Sequence, residues 1–132
     1  MSLLFGQSLN TGQAMDRGWL GAASQGEGAP IPSQIADQLR GREFRNFRAF
    51  REAFWKAVVK DPVLSVQFTP PNLSRMSVGK AAKTRGYDAV GQRSVFEIHH
   101  VHEVAKGGDV YNLENMLILT PKRHIDVHGG ER

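Results

Sequence analysis

Apolar and polar positions keep no steady rhythm over residues 1–32, which are rich in Gly, Ser, Gln and Pro. Trp19-Leu20 is an apolar island there, so the stretch reads as an irregular arm pinned by Trp19 and ended by Pro30-Ile31-Pro32. Ser33 reads as the N-cap of a short helix with Ile35, Ala36 and Leu39 inward, interrupted at Gly41. Over residues 43–60 the helical period is clear: Phe47, Phe50, Phe54, Ala57 and Val58 recur on one face. Asn46 is the predicted cap, and Asp61-Pro62 the predicted end. Such an aromatic stripe belongs in a core. Residues 61–92 carry Pro62, Pro70, Pro71, Gly79, Gly86 and Gly91, which predicts short helical turns and loops. From Ser94 to Val101 the period falls to two, the pattern of a strand. Val95, Glu97 and His99 take one face of it, and Phe96, Ile98 and His100 the other. Lys106-Gly107-Gly108-Asp109 is a loop, and Met116–Leu119 the returning strand. Thr120 then caps a helix with Pro121 at its first position. That helix runs through His124 and His128 to Gly129-Gly130. The predicted fold class is α+β: a mainly helical domain with a strand–strand–helix unit at its C-terminus.

Composition narrows the function classes. At 132 residues, one domain over 1–132 is the expectation. There is no cysteine, which excludes disulfides, thiolate nucleophiles and sulfur-held metals. No apolar run approaches the ~18 residues of a membrane span, and MSLLFGQSLN lacks a basic leader pattern. No membrane insertion is expected, and a monomer is the default. The net charge of +4 is unevenly placed. Residues 1–40 carry −1, residues 41–93 carry +7 and residues 94–132 carry −2. A basic middle of this kind suits phosphate, although a solvated helix face with Arg45, Arg48, Arg51 and Lys56 would look the same.

All five histidines lie between His99 and His128. His124 and His128 stand at i and i+4, one turn apart on one helix face, a spacing that suits two ligands of one metal. His99 can supply a third. Three imidazoles leave a coordination position open, the pattern of a catalytic rather than a structural site. His100 faces away from His99 and is free to take a proton, since imidazole titrates near neutral pH. Two exposed strand histidines would be the plainer reading of His99-His100 alone. His102 reads as a solvent-exposed neighbour.

The chain resembles a known family at this point. Glu97-Ile98-His99-His100, Gly107-Gly108, Tyr111-Asn112, Glu114-Asn115 and the run from Thr120 to His128 (TPKRHIDVH) look like the HNH, or ββα-metal, nuclease motif, here over 93–130. Upstream, Pro30-Ile31-Pro32, Ile35–Leu39, Phe50–Trp55 and Arg75–Lys80 resemble the DNase domain of nuclease colicins and S-type pyocins. The likeness runs from about Gly18 to Gly129. It implies metal ligation by His99, His124 and His128, and a general-base role for His100. It implies that Glu97 orients Arg93 toward the scissile phosphate, that Asn115 holds the loop, and that Arg51 contacts DNA. A plain surface ion pair is the alternative for Arg93 and Glu97. Two positions depart from the family's pattern: Glu103 stands where proline is usual, and the chain ends Gly129-Gly130-Glu131-Arg132 without a basic tail.

The implied activity is metal-dependent, largely sequence-nonspecific cleavage of double-stranded DNA, as the cytotoxic domain of a bacteriocin. The implied cofactor is one divalent ion, Zn²⁺ or Ni²⁺ by ligand type, with Mg²⁺ the alternative for catalysis. The implied partner is a small acidic immunity protein docking on the segment from Thr69 to Val95. Release by the producing bacterium and action in the target cell's cytoplasm follow from the same resemblance. No receptor-binding or translocation region is recognised, so the domain is expected to stand apart from them. The competing readings are another secreted HNH effector nuclease and a non-catalytic, zinc-stabilised DNA-binding module.

Overall fold

A central strand and a long aromatic helix organise the fold. The computed structural model describes residues 19–25, 28–100 and 116–129; the side chains of Tyr87, His100, Val127, His128 and Gly129 lie outside that description. The described elements begin with a 3-10 turn at Trp19–Ser24. Then come strand β1 (Ala29–Pro30), helix α1 (Ser33–Leu39) and helix α2 (Phe47–Lys60). A 3-10 turn at Ser65–Gln67, helix α3 (Pro70–Ser77) and a further turn at Gly86–Asp88 follow. Strands β2 (Glu97–His100) and β3 (Met116–Leu119) and helix α4 (Pro121–Gly129) complete them. Helices with a small antiparallel sheet make the class α+β, as expected.

Helix α2 forms because its apolar stripe has a cap and a stop. Asn46 is extended (φ −160°), and its side chain accepts from the Ala49 N–H at 2.9 Å. The helix therefore starts at Phe47 rather than at residue 43. At the other end the Asp61 N–H bonds the Val58 carbonyl, and Pro62 follows. Phe50, Phe54, Trp55 and Val58 are buried, together with Ile31, Ile35, Leu39, Leu64 and Met76. Trp19 meets Phe54 edge-on at 6.3 Å between ring centroids, which pins the described part of the arm; residues 1–18 and 26–27 of it lie outside the described residues. In α1, Pro32 rather than Ser33 holds the N-cap position, and no side chain caps it. Proline's φ of −63° already suits the helix entrance.

Strand β3 lies between β1 and β2, and both pairings are antiparallel. All four residues of β3 are buried, as an apolar run in a central strand should be. β1 is a strand within what reads as an irregular arm. Pro30 is tolerated because β1 is an edge strand, whose outer side needs no donor. β2 is shorter than Ser94–Val101 because the chain changes partner. Val95 bridges to Lys83, and the Phe96 N–H bonds the Ala82 carbonyl at 3.0 Å. Only from Glu97 does it pair with β3. Val101 lies outside the described residues. No described helix is long and apolar enough to cross a membrane.

Candidate active site on the C-terminal strand and helix

The site is assembled by β2, β3 and α4. β3 leads directly into α4, and Thr120 caps that helix: its Oγ1 accepts from the Arg123 N–H at 3.1 Å. Pro121 takes the first helical position. Because β2 pairs with β3, with His99 opposite Leu117 and Glu97 opposite Leu119, the start of α4 comes back beside β2. The His99 and His124 rings meet edge to face, with centroids 4.9 Å apart and planes at 67°.

Glu97 ties this pair to Arg93. The Arg93 guanidinium donates twice, from Nε to Oε2 at 2.9 Å and from Nη2 to Oε1 at 2.6 Å. Two parallel N–H···O bonds also fix the plane of the guanidinium. On its other side Glu97 Oε1 lies 2.8 Å from His124 Nδ1. Burial pushes the Glu97 carboxyl upward, but the bonds from Arg93 and His124 outweigh it and hold the group below its ordinary range. Hydrogen bonding to Glu97 likewise raises Arg93. An ionised carboxylate only accepts, so the proton in the Glu97–His124 bond belongs to Nδ1. In a neutral ring that leaves the His124 Nε2 lone pair for another partner.

This donor set fits a borderline divalent cation. Two neighbouring imidazoles, one steadied through one nitrogen by a carboxylate, match how proteins prepare histidine ligands. His128 sits four residues beyond His124 on α4, and its side chain lies outside the described residues. Among the described residues no group of three or more His, Asp or Glu side chains comes together to hold a metal. His100 follows His99 on β2, opposite Met116, and its side chain is also outside the description. Asn115, His102 and Glu103 fall outside the described residues altogether.

Arg51 stands apart from this cluster. It is exposed on α2, and its guanidinium lies over the Phe47 ring at 5.7 Å. One turn on, Trp55 packs against Phe96, the residue just before β2, with ring centroids 6.5 Å apart. That contact sets α2 against the strand carrying the site. The bond between Glu97 and His124 escapes sequence reading. The two-residue period puts Glu97 and His99 on one face, but only the return of α4 shows which imidazole Glu97 reaches.

Comparison with known proteins gives concordant findings. The family model described as "Colicin/Pyocin-S2, DNase domain" matches residues 6–129. The chain is 55% identical to pyocin-S1 of Pseudomonas aeruginosa over 125 residues, which are 95% of this chain and 20% of that protein. It is 48% identical to colicin-E8 of Escherichia coli over 126 residues, 96% of this chain and 62% of that protein. It therefore spans about a fifth of the first relative and under two-thirds of the second. Among solved structures, the crystal structure titled as the pyocin AP41 DNase–immunity complex superposes with a TM-score of 0.85 at 48% identity. That match covers 90% of this chain and 88% of the other.

Proposed function

The chain belongs to the colicin/pyocin DNase-domain family, and from that premise we propose that it is a metal-dependent, largely sequence-nonspecific DNA endonuclease. In this reading residues 1–132 are one HNH-type domain, with the ββα-metal motif at 93–130, and the domain is the cytotoxic part of a bacteriocin. The observation that carries it is the linked set Arg93–Glu97–His124 beside His99. One carboxylate there aims a guanidinium and orients an imidazole at once. A plain surface ion pair would do only the first.

The target bond is a phosphodiester, whose attack is opposed by its own negative charge. His99, His124 and His128 would hold the ion, Zn²⁺ or Ni²⁺ by ligand type, with Mg²⁺ the alternative in catalysis. When bound, a divalent cation supplies positive charge for a phosphate oxygen and the departing 3′-oxygen. His100 takes the proton from the attacking water. Arg93, held flat by Glu97, neutralises charge building on phosphorus. Asn115 steadies the loop between the strands. Arg51 and the basic middle of the chain contact the DNA backbone, which positions the duplex without reading bases.

Titles among the solved relatives name DNase–immunity complexes. We assign the corresponding partner here to a small acidic protein docking on Thr69–Val95. That segment holds Arg75, Lys80, Lys83, Arg85 and Arg93 against a single acid, Asp88. Release by the producer and action in the target cytoplasm complete the reading. End-labelling of cleaved DNA tests the chemistry. The expected ends are 5′-phosphate and 3′-hydroxyl; 3′-phosphate ends would overturn the assignment of the leaving oxygen.

A further inference from the structure

A recess of about 310 Å³ lies between the Trp19–Ser24 turn, the start of α3 and the residues leading into β2, and no histidine is among its lining residues as described. Its buried and half-buried lining includes Leu20, Phe68 and Phe96, which make it apolar inside. Lys83 and Arg85 stand exposed in its lining, and Arg85 is partly neutralised by Asp88 at 3.2 Å. The walls are tied in place. The Leu20 N–H donates to Gln67 Oε1 at 3.2 Å. Asn72 and Lys83 exchange two bonds: Oδ1 accepts from the Lys83 N–H at 2.9 Å, and Nδ2 donates to the Lys83 carbonyl at 3.3 Å. The recess is thus formed before anything enters it, which lowers the ordering cost of binding.

A DNA backbone brings charge but no apolar group to fill such a space. A protein partner brings both. Thr69, Asn72, Lys83, Arg85 and Asp88 of the lining belong to the Thr69–Val95 segment, so the recess is continuous with the surface assigned above to the acidic partner. Leu20, Gly21 and Ser24 lie some fifty residues earlier, outside that segment. We propose that the immunity protein seats one large apolar side chain in this recess, flanked by carboxylates facing Lys83 and Arg85, so that its footprint extends onto the Trp19–Ser24 turn. This rests on the immunity-protein reading. A side chain enclosed at the centre of an interface, ringed by polar contacts, is where binding energy concentrates.

The recess can be filled from the side that segment does not contain. A Cβ added at Gly21 meets nothing within 4 Å, so a side chain can leave the backbone there without a clash, and Gly21→Trp is the first filler. Ser24→Phe is a second filler, and serves if the first does not fold. The probes are the immunity protein of pyocin AP41 and, where one is found, a small acidic protein encoded beside this chain's own gene. Whichever binds the unsubstituted chain more tightly is used in calorimetric titration of the whole chain. Gly21→Trp or Ser24→Phe is expected to weaken that binding by about 30-fold or more, with plasmid nicking and melting temperature unchanged. Lys83→Glu separates the two claims. If it weakens binding while both fillers bind like the wild type, the recess proposal is overturned and the segment assignment stands. If neither probe binds the wild type, or neither Lys83→Glu nor the fillers weaken binding, both are overturned.

Discussion

Glu97 has partners on two elements: Arg93 just ahead of its own strand and His124 on the helix that follows. With Arg93 nearly half exposed (46%), the ion pair should add less than about 1 kcal/mol to stability. Its consequence is orientation. Glu97→Gln keeps the size but loses the charge that holds the His124 Nδ1 proton. Zinc titration by calorimetry should then show affinity lower by about 10–100-fold, with the melting temperature of the metal-free chain nearly unchanged. An unaltered zinc affinity would reduce Glu97 to a surface partner of Arg93. His100→Ala should behave oppositely. Zinc affinity stays, and plasmid cleavage falls by about 10²–10⁴-fold. Residue type and spacing single out His99, His100 and His124 as candidates, and the family resemblance adds Arg93. The contact from Glu97 to His124 was not, because alternation along a strand says nothing about which helix packs over it.

At the scale of elements, local chemistry sets where each one starts and stops. Asn46 illustrates a legible boundary: its cap bond places the start of α2. Asn46→Ala should cost about 1 kcal/mol in urea unfolding. Gly28 illustrates an illegible one. Its φ is +113°, and an added Cβ would fall 2.7 Å from Leu119 Cδ2 and 2.8 Å from the Ile118 carbonyl oxygen. Only glycine lets the arm run this close to β3 and form β1. Gly28→Ala should cost more than about 2 kcal/mol in the same experiment; a loss under half of that would mean β1 is not needed for the sheet. From sequence, Pro30-Ile31-Pro32 reads as a terminator, because an edge pairing of two residues leaves no periodic trace. Residues 94–96 mislead for a related reason. They alternate as a strand should, but bond to Ala82–Thr84 rather than to β3. Met116–Leu119 and the Thr120-Pro121 entry to α4 were legible, since an unbroken apolar run marks a buried strand and the cap bond joins residues three apart.

Across the whole molecule, charge and chemistry are divided. The +7 middle carries the long helix and the Thr69–Val95 segment, while the −2 end carries every histidine. DNA binding should therefore weaken steeply with salt. Arg51→Gln should reduce the slope of log K against log salt by about 1, equally for unrelated sequences. A slope unchanged by this substitution would remove Arg51 from the interface. α2 reaches the site through Trp55 and Phe96, so the element that would hold the backbone and the element that would cut it share one core. The central proposal is that this combination is a metal-dependent nuclease. The most direct test is nicking of supercoiled plasmid by the purified chain in EDTA and after return of a divalent cation. A metal-dependent nuclease should nick without EDTA, stop with it, and recover on adding the cation. Cleavage indifferent to EDTA, or no cleavage with any divalent ion supplied, would contradict it.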